Sequence, residues 1–134
     1  MTVRVQLVSP EKVLFEGDGE MVVCRTLGGG DIAFLEGHEP FLAGLATHPV
    51  RVIHADGSEH AFAVHGGFVE VANSRVIVLS DVAELSDDVD LVRAEAAMVR
   101  AQERLAQDPD DFDAAAALRR ANVRIAVAKG EAVG

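Results

Sequence analysis

No glycine stands between Gly67 and Gly130, although the chain has 12 glycines. That long interval is interrupted only by Pro109 and can run as helix. The stretch before it cannot, because Gly17, Gly19, Gly28 to Gly30, Gly37, Gly57, Gly66, Gly67 and Pro40 punctuate it at short intervals. The apolar period changes within that interval, beyond Glu84. Val3, Val5 and Leu7 alternate with Arg4 and Gln6, as in a half-buried strand. Short apolar runs follow at Val13–Phe15, Met21–Cys24, Ile32–Leu35, Phe68–Val71 and Arg75–Leu79, with turn signals at Asp56-Gly57 and Asn73-Ser74. Many short strands of this kind predict an antiparallel β-sandwich or flattened barrel.

Beyond Glu84 the period becomes helical. Ser86, Asp87 and Asp88 offer an N-cap and first-turn acids. Leu91, Ala94, Met98, Ala101 and Leu105 form a heptad-like seam. Pro109 breaks it, and Ala114, Leu118, Ala121, Ile125 and Ala128 form a second seam ending at Lys129 and Gly130. The expectation is an antiparallel two-helix hairpin over 87–134, following a sandwich over 1–86. Both seams alternate Ala with larger residues, so each buries little area and the hairpin is expected to leave its docked position at small cost.

Charge separates the same two parts. Residues 1–88 carry 14 acids and 5 bases, whereas residues 89–134 carry 8 and 7. With a net charge of −10, nucleic acid and anionic lipid surfaces are disfavoured partners. Aromatic residues make up 4%, all of them Phe, so the core must come from Val, Leu, Ile and Ala. The lone Cys24 sits in an apolar run and reads as a core residue rather than a catalytic thiol. No apolar run approaches the ~20 residues of a membrane span, and no signal-like segment precedes the first strand, so a soluble intracellular chain is expected. Gly28-Gly29-Gly30 lacks the Lys-Ser/Thr of a phosphate loop and reads as a sharp turn. His54, His60 and His65 match no metal-ligand spacing and are expected to face solvent from their strands.

Four stretches carry a resemblance. Val8-Ser9-Pro10-Glu11-Lys12-Val13-Leu14-Phe15-Glu16-Gly17 looks like the first strand and turn of F-type ATP synthase epsilon subunits. Residues Gly30 to Leu42 are similar to that family's G-E-L/I-G-I-L-P-G-H-A-P-L-L segment, with Asp31 for Glu, Ala33 for Gly and Glu36 for Pro. Gly66 to Val71 and Val76 to Glu84 resemble its G-G-F-L/V-E-V and V-x-V/I-L-A-D-x-A-E, and Leu118 to Ile125 its second hairpin helix. The likeness runs in order along essentially the whole chain. It implies a non-catalytic rotor subunit with a sandwich followed by a helical hairpin. The implied partners are the gamma subunit of the central stalk, the polar loops of the proteolipid ring, and the alpha/beta catalytic head when the hairpin extends. It also implies a peripheral place at the cytoplasmic face of the plasma membrane. Asp31 and His38 fall where the family approaches the ring, although a turn residue satisfying its own loop is the alternative for His38.

The resemblance further implies a regulatory ATP site, with no required cofactor and no metal. The family signature I/L-D-x-x-R-A stands here as Val89-Asp90-Leu91-Val92-Arg93-Ala94. Glu84, Arg100, Arg120 and Arg124 match further nucleotide positions. Arginines from two antiparallel helices can converge on a triphosphate, and carboxylates can accept from adenine or ribose. Ordinary solvated charges on a helix face would look the same. Two other classes compete: an adaptor of an unrelated complex, and a small enzyme, for which no nucleophile elbow, paired helical His or dinucleotide turn speaks.

Overall fold

A computed structural model describes residues 2–133. Ten strands come first: β1 (Val3–Val8), β2 (Val13–Gly19), β3 (Met21–Arg25), β4 (Asp31–Leu35), β5 (Phe41–Gly44), β6 (Thr47–Ile53), β7 (Glu59–His65), β8 (Phe68–Ala72), β9 (Arg75–Leu79) and β10 (Ala83–Leu85). They form two five-stranded sheets, ordered β2-β1-β9-β8-β5 and β10-β7-β6-β3-β4. The expected sandwich is present, with one departure from an antiparallel plan: β1 pairs with β9 in parallel.

Alternation builds the core directly. Val3, Val5 and Leu7 are buried, while Arg4 turns outward to Glu16 (2.9 Å) and Asp18 (3.3 Å) on β2. The inward residues of both sheets, among them Val22, Phe34, Val52, Phe62, Val69 and Val76, make one apolar cluster that takes in no residue of the helices. Phe62 meets Phe15 at 4.9 Å between ring centres. Cys24 is fully buried in this cluster, and burial first, with Asp31 second, pushes its thiol up to about 12. Asn73 and Ser74 take φ of 53° and 58°, the paired positive values that match a two-residue hairpin turn to sheet twist. At Gly67 (φ 118°) any Cβ would collide with the Leu79 carbonyl oxygen. Glycine is required there by both conformation and space.

The hairpin begins later than the sequence suggests. Ser86–Asp88 forms a single 3-10 turn, and Val89 is extended, so the turn cannot continue as helix. Helix α1 (Leu91–Gln107) starts at Asp90, whose carboxylate accepts from the Arg93 amide at 3.0 Å. Asp111 caps α2 (Phe112–Lys129) through the Ala114 amide at 2.9 Å and also receives the Arg104 guanidinium at 2.9 Å. That pairing holds the tight turn between the helices. Gly130 closes α2 in the left-handed conformation, as expected. The seams face each other with Ala94, Ala101, Ala114 and Ala121 buried. A second face of α2, absent from the heptad pattern, lays Val123 and Val127 on Ala63 of β7, flanked by Ala61 and Val133.

Candidate functional site

The outer face of the second sheet receives α2, and polar groups meet at the edge of that contact. Glu84 opposes Ala63 in the β10–β7 ladder, while His65 lies two residues along β7. Both point away from the sandwich core, because Phe62, Val64 and Ala83 on the alternate face pack into it. Arg124, one position from the buried Val123, completes the group. Its Nε donates to Glu84 Oε1 at 2.7 Å, and His65 Nε2 lies 3.0 Å from the same oxygen. The His65 side chain is only 4% exposed, and its Nδ1 is buried without a hydrogen-bond partner.

The electrostatics follow from this packing. Burial pushes the Glu84 carboxyl up, but the bonds from Arg124 and His65 outweigh it and leave it below the usual range. Burial holds the His65 ring below its ordinary value against the raising effect of Glu84; Arg124 and Arg120 repel its charged form. The three groups therefore rest as a carboxylate, a neutral imidazole and a guanidinium. Together they tie β10, β7 and α2 at one point.

The seven residues expected at a nucleotide site divide into two sets. Glu84 and Arg124 are in direct contact, and Arg120 is close enough to act on the same cluster through His65. Asp90 is occupied by capping α1, and the Val89 amide donates to the Ser86 carbonyl at 3.4 Å. Arg93 and Arg100 are exposed on α1, about one and nearly three turns beyond that cap. Among the described residues neither makes a side-chain hydrogen bond or ion pair.

The two ring-contact candidates do not form one cluster. Asp31 opens β4 and takes the Arg25 guanidinium at 2.9 Å, which holds its carboxyl below the usual range. His38 lies past the other end of the strand. Its Nδ1 is 2.7 Å from the Glu39 carbonyl oxygen, and its ring stands edge-on to Phe34 at 4.9 Å. His38 thus makes a contact within its own turn.

Sequence reasoning missed two features. His65 was expected to face solvent but is buried under α2, whereas His54 and His60 bond each other at 2.7 Å. Nothing local separates these three histidines; only the placement of α2 does. The second feature is a cavity of about 590 Å³ beside the end of α2, lined by Arg25, Asp31, His48 and Arg51 among others. Its arginines are already spent on carboxylates, Arg25 on Asp31 and Arg51 on Glu59. No group of three or more candidate metal ligands occurs among the described residues.

A β-sandwich with a two-helix hairpin laid on one outer face, tied by a carboxylate, an imidazole and a guanidinium, defines a class of two-part sandwich-and-hairpin proteins. Two family models cover nearly all of this chain. The beta-sandwich domain of the ATP synthase delta/epsilon chain matches residues 2–86, and its long alpha-helix domain matches residues 87–129. The ATP synthase epsilon chain of Bacillus subtilis strain 168 is 44% identical over 112 residues, covering 84% of this chain and 83% of the relative. That of Streptomyces coelicolor is 39% identical over 127 residues, 95% of each chain. A chain in the mitochondrial ATP synthase of Euglena gracilis, solved as an OSCP/F1/c-ring assembly, shares the fold with a TM-score of 0.75. It is 21% identical, and the match covers 88% of this chain and 76% of that one. The chain belongs to the ATP synthase delta/epsilon family, as an epsilon subunit of the bacterial F-type enzyme. The adaptor of an unrelated complex gives way to this membership.

Proposed function

We propose that this chain is a rotor subunit whose sandwich couples the central stalk to the proteolipid ring and whose hairpin restrains ATP hydrolysis. The observation that carries the reading is the narrowness of the hairpin's seat. Ala63, Val123 and Val127 form a buried cluster separate from the sandwich core, locked by the Arg124–Glu84 pair. A helix pair held this way can leave without unfolding the strands beneath it. Once extended, its Arg93, Arg100 and Arg104 face is suited to acidic elements of the alpha/beta head.

The opposite sheet supports the stalk contact. Phe68 opposes Leu79 on one side and Gly44 on the other, and the Leu27 amide bonds the Gly44 carbonyl. Leu27 (74% exposed), Leu42 (69%) and Phe68 (57%) thus form an apolar row across β5 and β8, continued by Leu79 on β9. Such a row marks a protein contact, here assigned to the gamma subunit. Asp31 and His38 are assigned to the ring loops. The sandwich, 1–86, then does the docking and the hairpin, 87–134, the regulation. Among the described residues no helix is long and apolar enough to cross a membrane. Membership of the family supports the place assigned, peripheral, at the cytoplasmic face of the plasma membrane.

ATP fits the same reading as a regulatory ligand. Glu84, Val89, Asp90, Arg93, Arg100, Arg120 and Arg124 would hold it, favouring the docked hairpin because docking brings Glu84 of β10 against Arg120 and Arg124 of α2. Arg124 would have to exchange Glu84 for phosphate. Replacing Arg93 and Arg124 by Ala should weaken ATP binding, and unchanged affinity would remove the site. For the whole reading, the test is add-back to a catalytic head lacking this subunit. The full chain and a 1–86 truncation should both bind, and only the full chain should slow ATP hydrolysis. Binding without inhibition by either would leave the sandwich a coupling piece only.

A further inference from the structure

Of the two histidines at the hairpin's seat, His48 lines the cavity beside Ala126 and Val127, and the His65 ring bonds the Glu84 carboxylate that also takes Arg124. The His65 ring lies beneath α2 with Nε2 on Glu84 and Nδ1 facing no acceptor. The charged groups facing it are Glu84 from β10 and Arg120 and Arg124 from α2; its ladder partner on β6 is the uncharged Thr47. A neutral ring fits this place well, since Nε2–H donates to Glu84 and bare Nδ1 demands nothing. A protonated ring does not. Its new Nδ1–H would be a buried donor without an acceptor, and its charge would sit near two arginines that share one carboxylate. Undocking α2 removes both difficulties, because it opens the ring to water and carries the arginines away.

We propose that His65 is an acid-sensitive latch on the hairpin: the neutral ring holds Glu84 in place for Arg124, and protonation releases α2 from the sheet. This rests on the reading that the hairpin has docked and undocked states. The sign follows from proton binding. The docked ring has a lowered affinity for protons, so the undocked state takes up the proton more readily. Docking is therefore at full strength above the ordinary histidine value of 6.5 and weakens as pH falls from there toward the depressed docked midpoint. At pH ~5.5 the docked population relative to undocked falls by up to about tenfold, the limit set by one proton.

The test uses the full-length chain and heteronuclear NMR. The His65 ring is titrated directly, and amide exchange of Ala121 to Val127, corrected for intrinsic rates, is compared with that of the sandwich core at pH 7.5 and 5.5. His65→Gln keeps a donor at the Nε2 position but cannot titrate. The expected result is a His65 midpoint below that of free histidine, and α2 protection that falls up to about tenfold with acid in the native chain but clearly less in His65→Gln, where His48 beside α2 still titrates. Should the variant fold poorly, the midpoint in the native chain still decides. A midpoint at or above the ordinary value overturns the latch, as does acid-independent opening of α2 or an equal fall in the variant. Exchange of α2 only together with the sandwich core, at every pH, would overturn the two-state hairpin as well.

Discussion

The sandwich and the hairpin are held by different means. In the sandwich, branched and aromatic side chains from both sheets bury one continuous core, and turns such as Asn73-Ser74 and Gly67 permit a single register. In the hairpin, the inner residues are mostly alanine, and the seat on the sheet is two valines, one alanine and a shared carboxylate. The first arrangement gives a body that keeps its shape. The second gives a helix pair whose proposed role is to change its place. Local stability follows how much apolar surface each part buries, and the regulatory role is assigned to the part that buries less.

The comparison can be broken most severely in the sandwich. Phe62→Ala removes a ring that is 1% exposed and should cost about 3–5 kcal/mol in urea unfolding. A loss near that for a surface site would mean that the core is not where stability resides. Val123→Ala should cost less, about 1.5 kcal/mol for two lost methyl groups. That loss should appear as faster amide exchange in α2 with the β7 and β8 amides unchanged. Arg124→Ala should act at the same place by about 1–2 kcal/mol, since it strips a charged donor from a carboxylate that is 25% exposed. If either variant lowered the sandwich's own melting point equally, the two parts would be one cooperative unit. Acid sharpens the same distinction. The depressed Glu84 carboxyl contributes to docking above its ordinary 4.5 and loses that contribution as pH falls through its lowered value. Helix docking should therefore fail at acid pH before the strands do, read by α2 amide exchange against the β core. The smallest effect concerns Asp90. Asp90→Ala should cost the helix cap about 1 kcal/mol, while Asp90→Asn should retain it. If Asp90→Asn nonetheless weakens ATP binding, Asp90 serves the nucleotide as well as the cap.

Much of this plan was legible along the chain. Glycine spacing and period located both parts, and four of the five seam alanines, 94, 101, 114 and 121, are buried, whereas seam Ala128 is half-buried and the off-seam Ala126 is buried. Local spacing failed where a contact joins distant residues. Glu84 and Arg124 are 40 positions apart, and only the family likeness placed them in one site. Val123 and Val127 lie off the heptad seam, so the second apolar face of α2 looked like variation rather than a docking surface. His65 stood among histidines of similar setting, and its burial depends on a helix that arrives some 50 residues later in the sequence. The helix start was misplaced because Ser86-Asp87-Asp88 has the composition of a cap, yet Val89 is extended and hands that task to Asp90.

The most direct measurement is to lock the hairpin in its seat. Ala63→Cys with Val123→Cys places two thiols within the docked cluster, and Cys24 is too buried and too weakly acidic to compete for either. The oxidised and reduced forms are then added to an ATP synthase head lacking this subunit, and hydrolysis is followed. The locked form should bind and leave hydrolysis uninhibited, and reduction should restore inhibition. Equal inhibition by the locked and reduced forms would contradict a regulatory role for movement of the hairpin.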